Sequence, residues 1–147
     1  MNDVIQELTV FLRSEALRHG TSLRTELEHD LPRVIGDRVQ LQQVVLNLIL
    51  NGMDAMNYTT HGPKEILIRS QRDGASGIRI AVEDCGIGLS KETAEKIFHP
   101  FFTTKTQGIG MGLSISRSIV ESHAGRLWAE PRREGGAIFQ FTIPCGA

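Results

Sequence analysis

The sequence predicts an α+β fold: a two-layer α/β sandwich whose mixed, mostly antiparallel sheet is covered on one face by three helices. Three observations lead there. Helix-period segments (three) and strand-period segments (about five) are both present and do not strictly alternate. Residues 40–56, QLQQVVLNLILNGMDAM, are apolar nearly all round when set at about 100° per residue, which describes a buried helix. With 147 residues and 40% hydrophobic content, the chain suits a single domain, 1–147, able to bury a core.

In chain order, residues 2–18 read as a helix with Val4, Ile5, Leu8, Phe11, Leu12 and Leu17 as its apolar face, Asn2 or Asp3 as its cap and Gly20 as its stop. Residues 22–28 read as a strand, ended by Leu31-Pro32. Gly36-Asp37 opens the central helix, with Asp37 as cap. Residues 57–64 are a loop. Strands follow at 65–71 and 77–84, turning through Asp73-Gly74. Residues 85–112 carry five glycines and two short segments without a long period. That is long for an ordinary connection, as in functional lids or disordered segments. Residues 112–123 return to helix through Leu113, Ile115, Ile119 and Val120; strands at 126–130 and 137–143 flank a turn at Glu134-Gly135-Gly136. No internal repeat or low-complexity tract is present.

The central helix carries one narrow polar stripe. Gln40, Gln43, Asn47, Asn51 and Asp54 fall within about 80° of one another. Gln42 and Gly52 alone interrupt the apolar remainder. Two readings compete: a solvated face, or the lining of a cavity. A solvated face is normally built from Lys, Glu and Arg, whereas each asparagine costs about half a kcal/mol of helix propensity relative to Ala. Amides suit hydrated ions and phosphate-bound metals.

Composition excludes several classes. Sixteen basic and seventeen acidic residues, net charge −1, argue against a nucleic-acid footprint. The start, MNDVIQELTV, has no basic region followed by an apolar stretch, so no signal peptide is expected. No apolar run approaches a membrane span. Cys85 and Cys145 have no metal-ligand spacing and make no disulfide scaffold, which fits a reducing cytoplasm.

Two further stretches could carry chemistry. In GIRIAVEDCGIG, Ile78, Ile80 and Val82 alternate with Arg79, Ala81 and Glu83, which puts Asp84 next on the apolar face. An acid there costs energy unless paired. Gly86 and Gly88 then let backbone approach a ligand, and the carboxylate suits an exocyclic amine such as that of adenine. The competing reading is a simple Asp-Gly turn closing a strand. In FHPFFTTKTQGIGMG, Phe98, Phe101 and Phe102 look like an anchor packing a loop onto the body, or else a satellite core cluster. Thr103, Thr104 and Lys105 can contact phosphates. Gly108, Gly110 and Gly112 precede a helix, whose free N–H groups and dipole favour anions; the triplet also fits a flexible linker. Neither the dinucleotide-fold order nor the Walker pattern is matched.

Taken in order, these features resemble the ATP-binding catalytic domain of sensor histidine kinases, within the wider superfamily of gyrase, heat-shock-chaperone and mismatch-repair ATPases. NLILNGMDAM resembles that family's asparagine box, EDCGIGL its first glycine box, FHPFFTTK its phenylalanine box and GIGMGLSI its second glycine box. PFFTTK together with MDAM is most similar to the nitrogen-regulation and oxygen-sensing kinases. The resemblance covers nearly all of residues 1–145.

The resemblance implies the Bergerat-type fold, an ATP lid over 89–111, and ATP and Mg²⁺ as ligands. It implies that Asn51 holds Mg²⁺ and that Asn47 supports the metal and phosphates. Asp84 would recognise the adenine amino group in a pocket shaped by Gly86 and Gly88. Gly108, Gly110 and Gly112 would form lid hinge and phosphate cradle, with Thr104, Met111 and Leu113 beside the nucleotide and Lys105 reaching the phosphates. Two departures are visible. Gly52 stands where Ala is usual, which should loosen the helix slightly. Asp54 stands where many relatives have Lys; it either touches metal waters or is simply solvated.

The implied reaction is phosphoryl transfer. Hydrolysing relatives activate water with a Glu on this helix, and Asn47 occupies that position here. A histidine acceptor is a neutral imidazole needing little base assistance. None of His19, His29, His61, His99 and His123 sits in the family's acceptor context. The expectation is therefore a catalytic domain apart from its dimerisation and sensor domains. Its partners would be ATP, the dimerisation/phosphoacceptor domain of the parent kinase and, indirectly, a response regulator. The isolated domain would be a cytoplasmic monomer, without nucleic-acid or membrane contact. The alternatives are a nucleotide-gated binding module, a gyrase-type hydrolysing ATPase, and a serine kinase acting on an anti-sigma-factor antagonist.

Overall fold

The structure is a computed structural model that describes residues 1–56, 62, 64–74, 77–99 and 112–145. Five strands form one sheet: β1 (Ser22–Leu27), β2 (Glu65–Arg72), β3 (Gly77–Glu83), β4 (Arg126–Pro131) and β5 (Ala137–Pro144), in the order β1-β2-β3-β5-β4. Only β1 and β2 run parallel, with Ser22 opposite Glu65; the other pairs are antiparallel. The helices are α1 (Asn2–Phe11), α2 (Arg13–Arg18), α3 (Arg38–Met56), α4 (Lys91–Lys96) and α5 (Gly112–Ser122). The expected α+β sandwich is thus the observed architecture.

Alternation along the strands decides which face is buried. Ile66 and Ile68 of β2, Ile78, Ile80 and Val82 of β3, and Phe139, Phe141 and Ile143 of β5 share one face and are buried. Against them lie Leu41, Val44, Val45, Leu48, Ile49, Met53 and Met56 of α3, joined by Val4, Ile5 and Leu8 of α1 and Val120 of α5. The opposite face is polar. Arg69 lies between Glu26 (3.1 Å) and Glu83 (3.3 Å), and Trp128 is flanked by the guanidinium groups of Arg126 (4.9 Å) and Arg79 (5.5 Å).

The N-terminal helix departs from expectation. It breaks at Leu12 (φ −89°, ψ 0°), giving α1 and α2. The buried face runs through the break at i, i+4 spacing, with Leu8, Leu12 and Ala16 all buried, while Phe11 and Leu17 are 74% and 75% exposed rather than part of it. Neither Asn2 nor Asp3 caps α1. Asn2 instead donates to Glu28 O (2.9 Å) and accepts from Ser70 Oγ (2.6 Å), pinning α1 to the end of β1 and the middle of β2. Asp37 does cap α3, accepting from Gln40 N at 3.1 Å, and Gly20 stops α2 at φ +64°.

The described residues contain five helices rather than three. Besides the split of the first, α4 arises inside the long segment after β3. Ser90 caps it, accepting from Thr93 N at 3.0 Å, but KETAEK has no apolar stripe and buries nothing, so periodicity cannot reveal it.

Candidate nucleotide site

The polar stripe of α3 is graded. Gln40 and Gln43, near the helix start, are exposed; Asn47, Asn51 and Asp54 are half-buried. Asn51 and Asp54 line a cavity of about 160 Å³ whose floor includes Asp84 and Ala137. Its apolar wall is Ile87, Leu89, Ile97 and Phe139; Ser90 and Thr93 edge it from the α4 side. An apolar slot with a few convergent polar groups is the ordinary form of a small-molecule site.

Asp84 follows β3 on the buried face, as the alternation requires, and is 1% exposed. Its Oδ1 accepts from Gly86 N at 2.9 Å and from Ala137 N at 3.3 Å. Among the described residues nothing donates to Oδ2, so that oxygen is left for a ligand. Burial pushes the carboxyl pKa up, and the two backbone amides and the Arg132 charge pull it part of the way back. A buried acceptor held by two amides, with one oxygen unspent among the described residues, is able to receive a hydrogen-bond donor.

Close approach builds the pocket around it. A Cβ on Gly86 would lie 2.8 Å from both the backbone and the Cβ of Ala55, so α3 and the loop after β3 meet only because residue 86 lacks a side chain. Gly52 faces the acid itself: a Cβ there would stand 3.4 Å from Asp84 Cβ and 3.7 Å from Oδ2. The turn between β4 and β5 closes the far side. Gly136 has φ +92°, and a Cβ on it would collide with the Asp84 carbonyl. Arg132 reaches back from the same turn, with Nη1 3.4 Å from Asp84 O and 3.1 Å from Cys85 Sγ. Arg132 and Gly136 stand beside Asp84, and sequence reasoning missed both. Their signal was the EGG turn, which reads equally well as any hairpin connection.

At the other end of the stripe, Asn47 Nδ2 donates to Ser116 Oγ (3.1 Å) and lies 3.4 Å from Gly112 O, both on the first turns of α5. Leu113 is half-buried against the core there. Phe98 is 5% exposed, packs edge-on against Phe139 (6.2 Å between centroids) and lies under the Arg117 guanidinium at 5.7 Å. Phe98 thus joins the core just after α4. Phe101, Phe102, Thr103, Thr104, Lys105, Gly108, Gly110 and Met111, and His61, lie outside the described residues.

The other histidines have local partners or surface positions. His123 accepts from Asp37 N at 3.0 Å through Nε2, and its Nδ1 donates to Ile119 O at 2.8 Å, tying the end of α5 to the cap of α3. His19 sits 3.2 Å from Glu15; His29 and His99 are exposed. Among the described residues no cluster of three His, Cys, Asp or Glu side chains could hold a metal by itself. The stripe instead supplies amides and one acid, a donor set that fits Mg²⁺, which keeps waters and is shared with substrate phosphates.

Residues 36–147 match the family described as "Histidine kinase-, DNA gyrase B-, and HSP90-like ATPase". Sensor protein FixL of Bradyrhizobium diazoefficiens is 38% identical over 144 residues, covering 98% of this chain and 28% of FixL. C4-dicarboxylate transport sensor protein DctS of Rhodobacter capsulatus is 39% identical over 144 residues, covering 98% and 22%. The chain thus spans less than a third of either. Among solved structures, the catalytic domain of histidine kinase ThkA superposes with a TM-score of 0.85 at 38% identity, covering 98% of this chain and 91% of that domain. The chain belongs to the histidine kinase-, DNA gyrase B- and HSP90-like ATPase family, as a catalytic domain of the sensor histidine kinase type.

Proposed function

We propose that this domain binds Mg·ATP in the cavity between α3 and the loop after β3, and passes the γ-phosphate to a histidine on a separate dimerisation domain, for later relay to a response regulator. The observation that carries the reading is Asp84: a buried carboxylate with one oxygen committed to two amides and the other without a donor among the described residues. The adenine amino group donates to that oxygen, while Ile87, Leu89 and Phe139 sandwich the base in the apolar part of the slot.

From there the phosphates run along the stripe towards α5. Asn51 would hold the metal through its side-chain oxygen, and Asp54, three residues further along the stripe, lines the same cavity. When bound, Mg²⁺ neutralises charge building on the β-phosphate oxygens. Thr104, Lys105, Gly108, Gly110 and Met111, in the lid that the family resemblance implies over 89–111, would complete the phosphate side together with Gly112 and Leu113 at the start of α5. The γ-phosphorus–oxygen bond breaks, a phosphorus–nitrogen bond to the imidazole forms, ADP departs and the imidazole proton leaves to solvent. With Asn47 where a hydrolase has its Glu, and no acid before it on the stripe, the position that would deprotonate the attacking water holds an amide, which favours transfer over hydrolysis.

A dimerisation domain supplies the acceptor, and a histidine kinase (ThkA) has a solved complex with a response regulator, TrrA. The domain works in the cytoplasm as a monomer apart from that partner; no helix among the described residues is long and apolar enough to cross a membrane. Incubation with γ-labelled ATP and the dimerisation domain of the parent kinase yields acid-labile, histidine-linked label. Folded, ATP-binding protein that labels no histidine contradicts the proposal.

A further inference from the structure

We infer that Ser116 is a positioning residue that fixes which end of the Asn47 amide faces the metal and phosphates. The inference rests on the Mg·ATP reading above and goes beyond it to a residue outside the four sequence boxes' assigned roles. Four polar side chains are buried among the described residues, Thr21, Ser70, Asp84 and Ser116, and Ser116 is 0% exposed. A buried hydroxyl must spend its hydrogen-bonding capacity within the protein. Its proton goes to Gly112 O, one turn earlier on α5, at 2.9 Å. What remains on Oγ is acceptor capacity, and Asn47 Nδ2 stands 3.1 Å away. The same nitrogen is 3.4 Å from Gly112 O, which can only accept.

Two acceptors at one end of an amide leave no choice of orientation. The NH₂ must point at α5, because a carbonyl oxygen there would face the Gly112 oxygen lone pair to lone pair. The Asn47 oxygen is therefore turned away from α5, and no described residue donates to it. Hard divalent cations bind amide oxygen and not amide nitrogen. Asn47 lies one helical turn before Asn51 on the same stripe. The directed chain from Asn47 N–H to the Ser116 hydroxyl to the Gly112 carbonyl thus sets the useful end of Asn47 before any ligand arrives. It also links the stripe to the residue at which the glycine-rich segment rejoins the body.

The experiment compares wild type with Ser116→Ala. The Asn47 side-chain NH₂ resonances, assigned by their loss in Asn47→Ala, are read in the nucleotide-free protein, and calorimetry gives ADP affinity with and without Mg²⁺. Ser116→Ala is expected to move the Asn47 NH₂ resonances, to leave metal-free ADP affinity within twofold, and to weaken the Mg²⁺-dependent part about tenfold, the scale for losing an outer-shell partner. Ser116→Cys, which keeps a weak acceptor in a similar volume, falls between, and it replaces the alanine variant if that fails to fold. Unchanged NH₂ resonances, or Mg²⁺ dependence within twofold of wild type, overturn the inference while the Mg·ATP reading stands. Absence of Mg²⁺-dependent binding in the wild type overturns that reading itself, and this inference with it.

Discussion

Asp84→Asn separates recognition from folding, because the structure dictates how the asparagine must sit. Gly86 N and Ala137 N both point at the Oδ1 position, so the new side chain places its oxygen there and keeps both bonds. Its NH₂ then occupies the Oδ2 position, on the Gly52 side. A free acceptor has become a donor, and the adenine amino group meets it donor to donor. The loss is one hydrogen bond to a charged group, about 1.5–3 kcal/mol. At 1.4 kcal/mol per tenfold, ATP affinity falls roughly 10- to 150-fold.

Stability moves the other way. Because burial raises the Asp84 carboxyl, the folded protein holds that proton to higher pH than the unfolded chain does. Ionising it costs stability as pH rises through the window from the ordinary Asp value to the raised one, and that cost persists above it. Asp84→Asn removes the cost, so the variant is at least as stable as wild type at neutral pH. The assay is calorimetric titration with ATP and GTP beside a urea melt. A guanine carbonyl, unlike the adenine amino group, can accept from the new NH₂, so discrimination between the two nucleotides narrows. Unchanged ATP affinity in a folded variant would refute the placement of adenine on Asp84; weakened binding accompanied by unfolding would refute the argument that both amide bonds survive.

Other consequences can be measured independently. Since Oδ1 takes two donors, protonation of Asp84 falls on Oδ2, and ATP binding weakens on the acid side at a pH above the ordinary Asp range; Arg132→Met removes a charge that holds the carboxyl down and moves this limb to still higher pH, as titrations across a pH series would record. Gly52→Ala adds about 0.5–1 kcal/mol of helix propensity against a contact of 3.2 Å with Ile66 Cδ1, the movable end of a side chain. A net gain of about 0.5 kcal/mol, or a rise of about 1–2 °C in Tm, is expected by calorimetry, and a lower Tm shows that the packing against Asp84 dominates. His123→Ala removes the bonds to Asp37 N and Ile119 O and costs about 1–2 kcal/mol in urea denaturation, with nucleotide affinity unchanged.

Much of this arrangement is legible along the chain, and the limits have physical causes. Strand alternation put Asp84 on the buried face, because a period of two leaves a residue no other side. The all-apolar circumference of α3 marked it as buried, and Asp37 announced its cap. Periodicity describes an element's own faces and not what stands opposite them. Asn47 was legible as polar in a buried helix, but its partner Ser116 is 69 residues away and reads as one more serine in a helix. Arg132 and Gly136 escaped for the same reason: the hairpin they belong to meets Asp84 only after β5 pairs with β3. The break at Leu12 was hidden because apolar residues continue through it. Leu12 and Ala16 are both buried across the bend.

A crystal structure of the domain with a non-hydrolysable ATP analogue and Mg²⁺ tests the central claim most directly. The account predicts the adenine amino nitrogen within hydrogen-bond distance of Asp84 Oδ2, with the Asn51 side-chain oxygen at about 2.0–2.1 Å from the metal. A nucleotide bound with its base away from Asp84, or a metal site without Asn51, would contradict it.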